Sequence, residues 1–143
     1  MAALAGVAAM WGGLVWMGWD LPGLDGRQVA RHGALAALGF LGTLIAAERA
    51  TALGRGWAFG APLASGLGAL ALLAFPSPVP GQLLMLMGAV VSVAIFAVIR
   101  HLQPELHNLV LVSGAVLWAV SVGLWLGGFA PYRVAPGGRA CWS

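Results

Sequence analysis

The stretch QLLMLMGAVVSVAIFAVI at residues 82–99 decides the fold, because it carries no charged side chain over its whole length. As an α-helix it rises about 1.5 Å per residue and spans roughly 27 Å, close to the hydrocarbon core of a bilayer at about 30 Å. The stretch therefore predicts a transmembrane helix. Four further apolar stretches of comparable length lie at residues 2–19, 32–47, 58–75 and 108–126.

The composition of the chain excludes an ordinary soluble domain. Of 143 residues, 61% are hydrophobic and 8% are charged, against about 45–50% apolar and about 25% charged in soluble domains. The net charge of +3 comes from scattered arginines, whereas a nucleic-acid surface needs clustered basic residues. We therefore predict no nucleic-acid partner and an all-α, polytopic transmembrane helix bundle of five spans, forming one domain over residues 1–136.

An internal repeat predicts a larger parent fold. Residues 32–43 align with residues 107–118, because each segment begins with a histidine and has a glycine seven positions later. A unit of three spans is inverted when it repeats, as in many transporters. We therefore expect that the five spans derive from a six-span, 3+3 inverted-repeat parent, with a sixth span after Val134.

The tail GGRACWS at residues 137–143 suggests why that span is missing. Its codons, read one base earlier, can spell Trp-Trp-Ala-Gly-Leu-Leu-Val, which is a plausible opening of an apolar helix. We hypothesise that a one-base deletion near Pro136 puts these seven residues out of frame. Resequencing the gene tests this, since the downstream frame must encode about 20 apolar residues.

Three histidines are the first candidates for a functional site, because ionisable groups at a membrane are costly. His101 and His107 are either ligands for haem iron or copper or interfacial residues of a short loop. His32 shares a helix face with Gly39 and Thr43, so we expect its ring to face neighbouring helices, as a ligand or as a hydrogen-bonding group at the helix end. The sequence does not identify a metal.

A second candidate group follows His32 on the same span. Gly39, Gly42 and Thr43 supply small side chains that let membrane helices approach each other closely. Glu48 and Arg49 come next, and they predict either a buried polar latch or a pair that extends to the lipid headgroups from a helix end.

Catalytic motifs are absent from the sequence. It contains no nucleophile–base pair, phosphate-binding loop, zinc-type spacing or carboxylate dyad, so we predict no catalytic residue and a non-enzymatic protein. A transporter would need polar groups near the middle of the bilayer, although single hydroxyls in spans often bond their own preceding carbonyls. The hydroxyls available for such a site are Thr43, Ser65, Ser92, Ser113 and Ser121.

Most of the chain resembles a known group of proteins. The segments HG at 32–33, GFLGTLI at 39–45 and ERA at 48–50 resemble a group of uncharacterised bacterial polytopic membrane proteins. That resemblance implies a multi-pass protein of the bacterial cytoplasmic membrane, and it implies Trp-Trp and a further apolar helix after the Pro136 position.

A more distant likeness suggests a cofactor. His32, the Gly39-x-x-Gly42-Thr43 segment and Arg49 are similar to a segment of the NnrS family, which implies a link to haem or copper. On this basis we predict a non-enzymatic membrane component associated with haem or copper. A small transporter-like bundle is the alternative, as is a structural subunit of a larger membrane complex. Besides the lipid bilayer, the partner is a membrane protein or a second copy of the chain.

Overall fold

The computed structural model describes residues 1–22 and 31–129, which form five helices and no strand. We number them α1 to α5 along the chain, from α1 at Ala2–Trp16 through α2 at His32–Leu53, α3 at Gly56–Ala74, α4 at Val79–Leu102 and α5 at Leu106–Leu126. The predicted all-α fold is therefore confirmed for this part of the chain. The tail at 137–143 and the region after Val134 lie outside the described residues.

Four of these helices, α2 to α5, are long and apolar enough to cross a membrane. Of the five predicted spans, four thus have the length and apolarity that a membrane-crossing helix needs, whereas α1 has 15 residues and reaches about 22 Å. It stops at Trp16 instead of continuing to Trp19 because the chain reverses at Gly18, whose φ is +94°. The amide of Trp19 donates to the Leu14 carbonyl, which closes the helix as a Schellman motif.

The second span was predicted to end at Ala47, but α2 continues to Leu53. Charged side chains interrupt the apolar pattern at Glu48 without interrupting the backbone hydrogen bonds. The helix ends where Gly54 adopts a left-handed φ of 65° and donates its amide to the Ala50 carbonyl. A glycine at this position ends many helices because it has no Cβ to strain.

The remaining boundaries move by one to three residues, for similar local reasons. Helix α4 begins at Val79 instead of Gln82 because Pro80 is accommodated in its first turn, where a missing amide costs nothing. Helix α3 begins with a 3-10 turn at Gly56–Phe59, before the predicted start at Ala58. It ends at Ala74, one residue before the prediction, and α5 begins at Leu106, two residues earlier than predicted.

The α3–α4 pair is packed most tightly, through glycines. A Cβ on Gly68 would lie 2.9 Å from the Gly81 carbonyl oxygen, and a Cβ on Gly88 would lie 3.0 Å from the Ala61 carbonyl oxygen. Backbones that approach this closely gain van der Waals contact, which is the main attraction between helices when lipid surrounds them. The four-residue linker between α3 and α4 makes the pair antiparallel.

Helix α5 lies at the edge of the bundle and packs along α4. Its buried residues recur every seven positions, at Asn108, Ala115 and Val122. Of its 18 most apolar consecutive residues, only 11% are buried, so most of the helix surface faces outward.

Candidate functional site

Hydroxyl groups in the helices follow a common pattern that two residues break. Each of four hydroxyls donates to the carbonyl four residues earlier, at 2.8–2.9 Å, which is the usual solution in an apolar helix. These four are Thr51, Ser92, Ser113 and Ser121. In the described part of the chain, Thr43 Oγ1 and Ser65 Oγ are buried and have no hydrogen-bond partner.

Thr43 and Ser65 lie at the same level of the bundle. One turn away, a Cβ on Gly39 would lie 2.9 Å from the Cβ of Ala69, so α2 and α3 face each other there. Because the two helices are antiparallel, a step of four residues forward on α2 moves along the bundle as far as a step of four residues backward on α3. These steps lead from Gly39 to Thr43 and from Ala69 to Ser65. Thr43 is 8% exposed and Ser65 is 0% exposed.

A π-helical segment lies shortly before Thr43 in α2. Helix α2 is π-helical over Leu35–Leu41, and the Gly42 amide donates to the Ala37 carbonyl, five residues back. The usual acceptor for the Thr43 hydroxyl, the carbonyl of Gly39, belongs to this segment. Such π segments occur often at functional sites.

Ser65 also contacts α4, so the level includes three helices. A Cβ on Gly88 would lie 2.3 Å from Ser65 Oγ, which shows that the hydroxyl lies directly against this glycine. Ser92 donates to the carbonyl of the same glycine at 2.9 Å. Thr43, Ser65 and Ser92, three of the five hydroxyls predicted from the sequence, thus lie near the middle of α2, α3 and α4. Ser113 and Ser121 lie on the exposed side of α5.

Trp118 adds a third unpartnered polar group beside this level. Its indole edge lies against Gly42, the residue before Thr43, with Cζ2 at 2.6 Å from the position that a Gly42 Cβ would take. Its Nε1 is buried and, within the described residues, has no acceptor. We call Thr43, Ser65 and Trp118 the polar centre. A buried group without a partner costs about 1–3 kcal/mol, so three at one level are unusual.

The predicted histidines do not come together. His32 is the first residue of α2, and its ring lies 5.6 Å from the ring of Trp16. His101 and His107 are exposed at the other end of the bundle, near the end of α2. They therefore lie about 30 Å from His32, since that is the length of α2. Among the described residues there is no group of three or more His, Cys, Asp or Glu that could hold a metal ion.

Glu48 and Arg49 lie near the end of α2 with different surroundings. Glu48 is exposed and its carboxylate lies 3.8 Å from the Arg49 guanidinium. The guanidinium carbon of Arg49 lies 6.0 Å from the ring centre of Phe96 on α4. The contact between helices is therefore cation–π, since the ion pair joins neighbours on α2.

Arg31 is a polar residue that the sequence analysis missed. From the start of α2, its guanidinium donates to the carbonyls of Leu72, Phe75 and Pro76 at 2.8, 3.2 and 2.7 Å. These carbonyls lie at the end of α3, where the helix dipole favours a cation. An arginine directly before one span, together with a proline-rich joint at 76–80 that ends another, is a signal that could have indicated this contact.

A family defined by a domain of unknown function (DUF8744) matches residues 1–140. The chain belongs to the DUF8744 family. The matched region of this DUF8744 protein contains all five helices and the whole polar centre. Among curated proteins and among solved structures, nothing matches the chain. The likeness to NnrS stays a prediction, as does the role of each histidine.

Proposed function

We propose that the chain is a non-enzymatic, multi-pass protein of the bacterial cytoplasmic membrane that works as a small transporter-like bundle. The observation that carries this proposal is the polar centre, because it puts unpartnered hydroxyls midway along helices that are otherwise apolar. Polar groups inside a membrane bundle often mark the path or binding site of a solute.

The outer surface of the bundle supports a membrane location. Large apolar side chains point outward from each long helix, and a soluble protein would hide such surfaces. They include Leu44 and Ile45 on α2, Leu63 and Leu67 on α3, Met87 and Val90 on α4, and Val110, Leu117 and Leu124 on α5.

The contact between Gly42 and Trp118 supports the inverted repeat. The alignment of residues 32–43 with 107–118 makes Thr43 equivalent to Trp118, and the indole lies against the residue next to Thr43. Two helices related by a two-fold axis meet near that axis at equivalent positions. The repeat is not exact, since Gly39 is close-packed while its counterpart Gly114 has open space.

Cysteine labelling tests the membrane proposal. The test uses two single-cysteine variants in a Cys141→Ser background, Ser77→Cys and Gln103→Cys. Ser77 lies in the linker between α3 and α4, and Gln103 lies in the linker between α4 and α5. A membrane-impermeant maleimide should label one of these positions in intact cells and the other only after the membrane is opened. Labelling of both from the same side, or release of the protein from membranes by alkaline carbonate, would contradict the proposal.

A haem- or copper-associated role is the second candidate. The positions of His101 and His107 favour a site at the end of the bundle over one between helices. Both are exposed on either side of the three-residue connection between α4 and α5, where imidazoles are available as ligands. A Cβ on Gly39 would lie 2.9 Å from the Ala69 Cβ, so α2 and α3 leave no room for a porphyrin between them at that level. Purified protein should then carry a Soret band or stoichiometric copper that His101→Ala and His107→Ala remove. Unchanged spectra and metal content in both variants would exclude this role.

A further inference from the structure

We infer that the polar centre binds a small uncharged solute of about the size of water, which both donates and accepts hydrogen bonds. This inference rests on the proposed membrane function, because in a bilayer no bulk water is present to satisfy buried polar groups. Water itself and ammonia share the required chemistry.

The hydrogen-bonding capacity of the polar centre determines the chemistry of the solute. The indole N–H of Trp118 can only donate, so its ligand must accept a hydrogen bond. The hydroxyls of Thr43 and Ser65 can each donate one bond and accept others. A ligand that accepts from the indole and exchanges bonds with two hydroxyls would satisfy these three groups. The fourth buried atom without a partner among the described residues, Arg49 Nε, belongs to a residue about 9 Å further along the axis of α2 from Thr43.

The distribution of charge around the polar centre disfavours an ion. The nearest charged residues on α2, Glu48 and Arg49, follow five and six positions after Thr43 and lie about 8 Å further along the helix axis. All other charged residues in the described part of the chain lie at helix ends or in loops. An ion at this level would lose its hydration without a compensating charge, which is strongly unfavourable.

The packing on both sides of the polar centre limits the size of the solute. On one side, α2 and α3 pack closely, because a Cβ on Gly39 would lie 2.9 Å from the Ala69 Cβ. On the other side, a buried cluster contains Ala46, Ala61 and Ile95. The residues named in these two layers are apolar and lie about one turn from Thr43, Ser65 or Ser92 along their helices, so the ligand must be small enough to lie between them.

A double-mutant cycle tests whether the two hydroxyls share a ligand. Thr43→Val and Ser65→Ala remove the hydroxyls with little change of volume, and Thr51→Val and Ser121→Ala are matched controls that remove hydroxyls bonded within their own helix. We expect each test variant to lower the midpoint of thermal unfolding in detergent, and the double variant to lower it by little more than one alone. Additive losses, or a rise of the midpoint in either test variant, would overturn the inference, because dry unpartnered hydroxyls destabilise the fold.

Vesicle measurements distinguish the two solutes and separate this inference from the proposed function. Osmotic shrinkage reports water and an internal pH dye reports ammonia, and the solute that binds should show a protein-dependent flux that the double variant loses. A coupled cycle without any flux would support the site and contradict transport. If Na⁺ stabilised the wild-type protein and Thr43→Val abolished that stabilisation, the inference of an uncharged ligand would be overturned.

Discussion

Trp118 lies edge-on against Gly42, with its Cζ2 and Cη2 atoms 2.6 and 2.7 Å from the position of a Gly42 Cβ. This contact joins α5, at the edge of the bundle, to the residue that follows the π-helical segment of α2. It holds the indole beside Thr43, and it therefore links the packing of the bundle to the polar centre.

Gly42→Ala tests this contact. The added methyl group would displace the Trp118 ring, and overpacking of this kind costs about 1–3 kcal/mol of unfolding free energy. Gly114→Ala is the matched control, because Gly114 has open space and alanine favours a helix by about 1 kcal/mol over glycine. Thermal unfolding in detergent measures both. Equal effects of the two substitutions would contradict the contact.

Arg31→Ala should detach the start of α2 from the end of α3. Three carbonyls lose a charged donor, and hydrogen bonds to charged groups contribute about 1.5–3 kcal/mol. Arg31→Lys should recover only part of the loss, because an ammonium cannot reproduce the planar fork that reaches Leu72 and Pro76 together. The exposed Arg55→Ala serves as the control in chemical unfolding. Full stability of Arg31→Ala would show that the contact contributes nothing.

Glu48→Gln and Arg49→Gln separate an ion pair from a cation–π contact. The pair at 3.8 Å involves a carboxylate that is 69% exposed, so its loss should cost no more than about 0.5 kcal/mol. Loss of the guanidinium over Phe96 should cost about 0.5–1 kcal/mol, plus the packing of its stem. Unfolding of the two single variants gives the comparison. A larger effect for Glu48→Gln would favour the ion pair as the contact that matters.

Gly54→Ala should shorten α2. The left-handed φ of 65° at this position strains any residue with a Cβ by about 1 kcal/mol. Gly56→Ala, two residues on, has no positive φ and no atom within 4 Å, so it should have little effect. Amide hydrogen exchange at the end of α2 would show faster opening in the first variant only. Similar protection in both variants would contradict the role of Gly54 as the helix stop.

The sequence allowed the helices to be located but not their contacts. Apolar runs predicted the five described helices. Their observed ends differ from the predicted ones where a glycine with a positive φ stops the helix, as at Gly18 and Gly54. The same pattern could not predict that α1 is too short to span, because its apolar run continues past the reversal at Gly18. The site was predictable only in part, since Thr43 and Ser65 belonged to a set of five hydroxyls. Their burial at one level depends on helix register, and neither that register nor the π-helical segment before Thr43 has a simple sequence signal.

The most direct measurement of the central claim is the flux of small uncharged solutes into vesicles that contain the purified protein. The account predicts a protein-dependent flux of water or ammonia that Thr43→Val with Ser65→Ala abolishes and Thr51→Val with Ser121→Ala leaves unchanged. Vesicles with wild-type protein that are no more permeable than empty vesicles would contradict it, as would an equal flux through both double variants.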